Sequence, residues 1–155
     1  MIAVSDTSPL SYLVLVGEGD LLGSLFDEVW IPPAVADELT RPRTPETVAS
    51  WLDAPPAWLH LSSAPDISSL PAAPRLHRGE AEVIALGMAL NSDFLLLDDR
   101  AARKVARNLG LPLMGTLAVL DVAARQGRVD LPAVLARLAA TNFRASPELL
   151  RRLLR

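Results

Sequence analysis

The chain reads as an α/β protein with a mostly parallel sheet of about five strands. Short apolar runs alternate with helix-patterned stretches almost throughout, and turn or capping residues separate them. One run, DFLLLDD at 93–99, is continuously apolar before its acids, as a central parallel strand buried on both faces must be. At 155 residues the chain has the length of one ordinary domain, able to bury about two thirds of its unfolded surface in a single core. We therefore expect one domain over 1–155, with 131–155 as a C-terminal helical extension packed on it.

The elements follow in order. Ile2 to Val4 forms a first strand ending at Ser5-Asp6, and TSPLSYLVLV continues as a helix in which Ser8 is the expected cap and Pro9 the first helical residue. GDLLGSLFD predicts a short helix, EVWIPP a second strand, and PAVADELT a helix opening on proline. PETVASWL is a helix with Thr44 as its expected cap, and AWLHL a short strand. From Ser62 to Pro74 the chain is Ser, Pro and Ala without periodicity, which predicts a surface loop. RGEAEVIALGMALN returns to helical spacing, with Val83, Ile84, Met88 and Leu90 on one side. After the strand DFLLLDD come a helix stopped by Gly110, a fifth strand in LPLMG and a helix stopped by Gly127. VDLPAVLARLAATN and SPELLRRLLR close the chain as helices with proline near their starts.

Composition excludes several classes. No cysteine is present, so there is no disulfide framework, thiolate metal site or cysteine nucleophile. No apolar run approaches the roughly 18 residues of a membrane helix, and the N-terminus lacks the basic and apolar order of a secretory signal. A soluble, cytoplasmic protein is the expectation, with no membrane partner. A net charge of −3 argues against passive coating of nucleic acid, though not against a nuclease that concentrates its acids in one place. Four cations and no acid stand between Arg100 and Arg107, and five arginines against Glu148 alone follow Asp130.

The acids carry the functional argument. Asp6 and the pair Asp98-Asp99 stand at strand ends, and in open parallel sheets the functional crevice lies there, where strand order reverses. If the first and fourth strands are neighbours, these acids meet across about one strand spacing. Glu80 near a helix start and Glu38 near a helix end are the further candidates, while Glu82 reads as a solvated residue. Packed carboxylates repel unless a cation stands between them, and oxygen-only ligands suit Mg²⁺ or Mn²⁺. Each acid also has a structural use: one of Asp98 and Asp99 must serve as a helix cap, leaving the other for a metal, and Glu80 favours its helix dipole. Arg100, Arg103 and Lys104, on the helix leaving the strand end, are the candidates for phosphate contacts.

The runs VSDTSPL, VADELT, RGEAEVIALG, LLLDDRAARKVARNLGLPLMGTLAVL and TNFRASPELLRRLL, in that order and spacing, resemble a PIN domain. They are most similar to the small prokaryotic PIN-like proteins related to the VapC toxins, over nearly the whole chain. The resemblance implies a three-layer α/β/α sandwich and a metal-dependent endoribonuclease in which three or four acids hold Mg²⁺ or Mn²⁺. By position Asp6 matches the first acid, Glu38 the second, Glu80 the third and Asp99 the fourth, with Asp98 as the alternative fourth. Thr7 or Ser8 resembles the hydroxyl beside the first aspartate, and Thr116 follows the turn that returns towards the same crevice. Two positions depart from the toxins: the third acid is Glu rather than Asp, and Leu97 stands where Thr or Ser often precedes the fourth acid. The implied partners are an RNA substrate, a cognate antitoxin and a second copy of the chain.

Three other readings compete. A PIN-like module without catalysis would act through association, using the leucine-rich C-terminal helices. A dehalogenase-type phosphatase wants an acid where Ser8 stands, and a receiver domain wants a lysine near the fifth strand, whereas the only lysine is Lys104. A dinucleotide fold lacks its Gly-rich turn after the first strand. His60 and His77 are too few and too far from the acids to argue for zinc.

Overall fold

A computed structural model describes residues 1–63, 65–70 and 76–155. Its sheet has five strands, β1 (Ile2–Ser5), β2 (Glu28–Ile31), β3 (Leu59–Leu61), β4 (Phe94–Leu96) and β5 (Leu113–Met114), in the order β3-β2-β1-β4-β5. All four pairings are parallel. Nine helices are present among the described residues: α1 (Thr7–Leu15), α2 (Leu21–Leu25), α3 (Pro33–Leu39), α4 (Glu46–Asp53), α5 (Arg78–Leu90), α6 (Arg100–Asn108), α7 (Thr116–Arg125), α8 (Leu131–Ala139) and α9 (Pro147–Leu153). Right-handed crossovers carry the chain outward from β1 to β3, then back across the sheet to β4 and β5. The helices made on the outward and return legs therefore cover opposite faces, giving the PIN-like α/β/α fold: α1 packs on α4 and α7, and α5 on β1, β4 and α6.

The strands are shorter than their apolar runs because pairing stops where the chain must turn, at Leu96 in DFLLLDD and at Ile31 in EVWIPP. The buried character continues past the pairing, so that Leu95, Leu96 and Leu97 are all closed from solvent. Full burial of one such leucine is worth about 1.5–3 kcal/mol. Together with Val4, Leu10, Leu13 and Ile84 these residues form the centre of one continuous core.

Two expected caps are corrected. Helix α1 begins at Thr7, so Asp6 occupies the cap position and Ser8 lies inside the first turn, with Pro9 third rather than first. The proline fits there because a helix's first N–H groups have no partner within it. Helix α4 is capped in position by Pro45. Thr44 instead donates its hydroxyl to the Glu38 carbonyl (3.0 Å), tying down the end of α3. The predicted loop Ser62–Pro74 lies partly outside the described residues. In its described part Leu70 is buried in the core. Glu82 is not solvated: it is 2% exposed, and its carboxylate accepts from Ala34 N at the start of α3 (3.1 Å) and from Arg78 Nε (2.8 Å). A short-range sequence pattern cannot show a helix start arriving from 48 positions away. Among the described residues no helix is long and apolar enough to cross a membrane.

Candidate active site

Strand β1 lies between β2 and β4, with Ser5 in register with Leu96. The pairing extends one residue further, as Asp6 N donates to the Leu96 carbonyl (3.0 Å). Asp6 is thereby fixed at the carboxyl end of the central strand, where strand order reverses. It sits at the head of α1, yet its side chain makes no capping bond. The carboxylate is not consumed by the helix, and it is only 8% exposed.

Beyond β4 the two aspartates divide the work. Asp99 caps α6, accepting from Ala102 N (3.0 Å). Asp98 takes two bonds from one residue, Thr116 N (2.8 Å) and Thr116 Oγ1 (2.6 Å), which ties the end of β4 to the start of α7. Gly115 makes that approach feasible: a Cβ there would fall 2.9 Å from Asp98 Oδ1 and 3.1 Å from Arg103 Nη1. Arg103 Nη1 in turn donates to the Leu97 carbonyl (2.7 Å). The guanidinium thus braces the strand end beside Asp98.

The glutamates arrive from the helices. Thr7 Oγ1 donates to Glu38 Oε2, holding α3's carboxylate against the start of α1. Glu80, the third residue of α5, accepts from His77 N (3.0 Å) and is buried. Gly79 lets α5 come close, since a Cβ there would lie 2.8 Å from Glu38 Oε1 and 3.6 Å from Asp6 Oδ1. Sequence reasoning had passed over Gly79, Gly115 and the brace made by Arg103. The glycine in GEAE was a visible signal, since a glycine inside a helix needs a packing reason.

The electrostatics bind these carboxylates into one group. Asp6 is pushed up to about 7, first by burial and then by Glu80, Glu38 and Asp98, while the Thr7 backbone N–H pulls the other way. Glu80 is also raised, by burial and by Asp99. All five predicted acids therefore act on Asp6 or Glu80, and all five stand at one end of the sheet. Thr7 and Thr116 hold Glu38 and Asp98, whereas Ser8 lies half-buried in the first turn of α1. Of the predicted cations, Arg103 reaches the site directly; Arg100 and Lys104 are exposed on α6.

The donor set fits a hard divalent cation in its chemistry. Every donor is a carboxylate oxygen, and the raised Asp6 reports a buried cluster of like charge that a cation would relieve. Asp6, Glu80, Asp98 and Asp99 would hold it. As placed, no three His, Asp or Glu side chains among the described residues are gathered closely enough to enclose an ion.

A parallel sheet whose order reverses at an acidic strand end, with cations on the departing helix, defines the class: an α/β protein with a carboxylate site in its switch-point crevice. A family model for the PIN domain matches residues 2–155, and the chain belongs to the PIN-domain family. PIN domains are generally nucleases and generally use divalent metals, which supports a hydrolase of the nuclease type here. Comparison with curated proteins finds no match.

Proposed function

We propose that the protein is a metal-dependent endoribonuclease that hydrolyses RNA phosphodiester bonds with Mg²⁺ or Mn²⁺ held by Asp6, Glu80, Asp98 and Asp99, Glu38 completing the catalytic group. The observation that carries this reading is Asp6, buried at the centre of the sheet's carboxyl edge and raised to about 7 by burial and by the other carboxylates. When bound, the cation supplies Lewis acidity towards a phosphate oxygen and an acidified water as nucleophile. The chain's own residues orient and neutralise. Thr7 fixes Glu38 and Thr116 fixes Asp98, so neither carboxylate must be reoriented during the reaction. Arg100, Arg103 and Lys104 offer cations to the RNA backbone beside the scissile bond. A toxin role, with a cognate antitoxin and a homodimer as the partners, follows from the likeness to VapC-related proteins and is part of the same proposal.

Cleavage of a mixed RNA pool with Mn²⁺, Mg²⁺ or a chelator, run beside Asp6→Asn, tests the reading. Metal-dependent cutting that disappears in the folded variant is the expected result, and undiminished cutting by Asp6→Asn removes the assignment. One observation favours a second reading, a PIN module without catalysis: the carboxylates as placed do not close around an ion. Titration calorimetry separates the two, since no uptake of Mg²⁺ or Mn²⁺ selects the module.

A further inference from the structure

A groove of about 750 Å³ opens beside Asp98 and runs between α6, α7 and the segment that leads into α9. Arg100, Arg103 and Arg107 enter it from α6, and Arg144 faces them from the C-terminal segment. The spacing 100, 103, 107 keeps the three α6 cations on one helical face, spread over about 10 Å of axis. Lys104 is not among the lining residues.

The two acids that line the groove are already occupied. Asp98 accepts both bonds from Thr116, and Asp121 accepts from Arg125 Nε (3.0 Å). Arg103 is braced on Leu97, whereas Arg100, Arg107 and Arg144 are exposed and enter no ion pair among the described residues. In a chain of net charge −3 this is a local surplus of uncommitted positive charge that begins at the acidic site. The facing wall is apolar, formed by Leu117, Phe143, Leu149 and Leu153. A cationic rail opposite an apolar and aromatic wall is the arrangement that holds a single strand, with phosphates on one side and bases on the other.

We infer that this groove is the seat of a single-stranded RNA segment flanking the scissile phosphate, with Arg100, Arg107 and Arg144 on its backbone and a base against the wall at Phe143. The inference rests on the nuclease reading above and adds to it a substrate class and a direction of travel away from Asp98. Base-paired RNA does not fit this division, because its bases are turned inward and only phosphate is left to meet both walls.

Fluorescence anisotropy with a labelled oligouridylate tests it, in the Asp6→Asn background with chelator so that nothing is cut. Arg107→Glu and Arg144→Glu should each weaken binding by about tenfold, and each should lower the salt slope by about 0.7. Arg128→Glu, at the far end of α7, makes the same charge change outside the groove and should alter affinity by less than about threefold. Equal losses in all three variants would leave only net charge at work and overturn the proposal. So would equal affinity for a duplex of the same length, or tighter binding of a polyglutamate peptide, which would assign the groove to an acidic protein partner. The two proposals fail separately: an uncut RNA pool with groove-dependent oligouridylate binding removes the nuclease, and metal-dependent cutting with unchanged binding by the groove variants removes the groove.

Discussion

Asp6 carries a cost that pH exposes. Its carboxyl ionises at about 7 in the folded chain against an ordinary value of 3.8. The folded state therefore holds a proton that the unfolded state has lost, and this contribution to stability is full below the ordinary value and fades as pH rises through 7. Between about pH 5 and about pH 8 the loss is roughly 3 kcal/mol. Urea denaturation at those two pH values should show this decline in the wild-type chain and its absence in Asp6→Asn, and Mn²⁺ should restore much of the loss in the wild type alone. Thr116→Val removes one of the two bonds to Asp98 at a fully buried position. A stability loss of about 1–3 kcal/mol is expected by denaturation, together with reduced RNA cleavage. Gly79→Ala separates shape from stability. Alanine in a helix normally gains about 0.5–1 kcal/mol over glycine, but here the new methyl meets Glu38 Oε1, the mobile end of a side chain. The melting temperature should barely move while metal uptake falls, measured by calorimetry.

At the scale of elements, the helix starts are where long-range contacts gather. Glu82 of α5 satisfies the opening of α3, so Glu82→Gln should cost about 1 kcal/mol, read by denaturation, without affecting cleavage by more than the stability change explains. Helix α9 buries none of its residues. Its contribution is one wall of the groove, through Leu149 and Leu153, more than support for the core. The element types were legible because periodicity and Pro or Gly punctuation are local. The caps were not. Ser8 and Thr44 have the right chemistry for caps, yet the chain enters α1 directly from the β1 pairing, and Thr44 is taken by the Glu38 carbonyl. The two aspartates after β4 could not be told apart by spacing, because the bond that distinguishes them comes from Thr116, 18 positions on.

For the molecule as a whole, the sheet order converts a sequence pattern into a site. The alternation of runs was enough to expect a parallel sheet, and the strand-end acids were enough to expect their meeting, conditional on β1 and β4 being neighbours. That condition holds, with Ile2 N donating to Asp93 Oδ2 across 91 positions. What no run of residues announced was the groove, since its cations and its apolar wall come from α6, α7 and the C-terminal segment together. The same order has a consequence for synthesis. A growing chain emerges N-terminal end first, so Asp6 and Glu38 leave the ribosome well before their partners from β4 and α6. Until β4 docks beside β1 those early acids have neither the neighbours that crowd them nor the fold that buries them. An enzyme of this layout is born inert next to the message that encodes it, and becomes capable of harm only when the fourth strand closes the sheet.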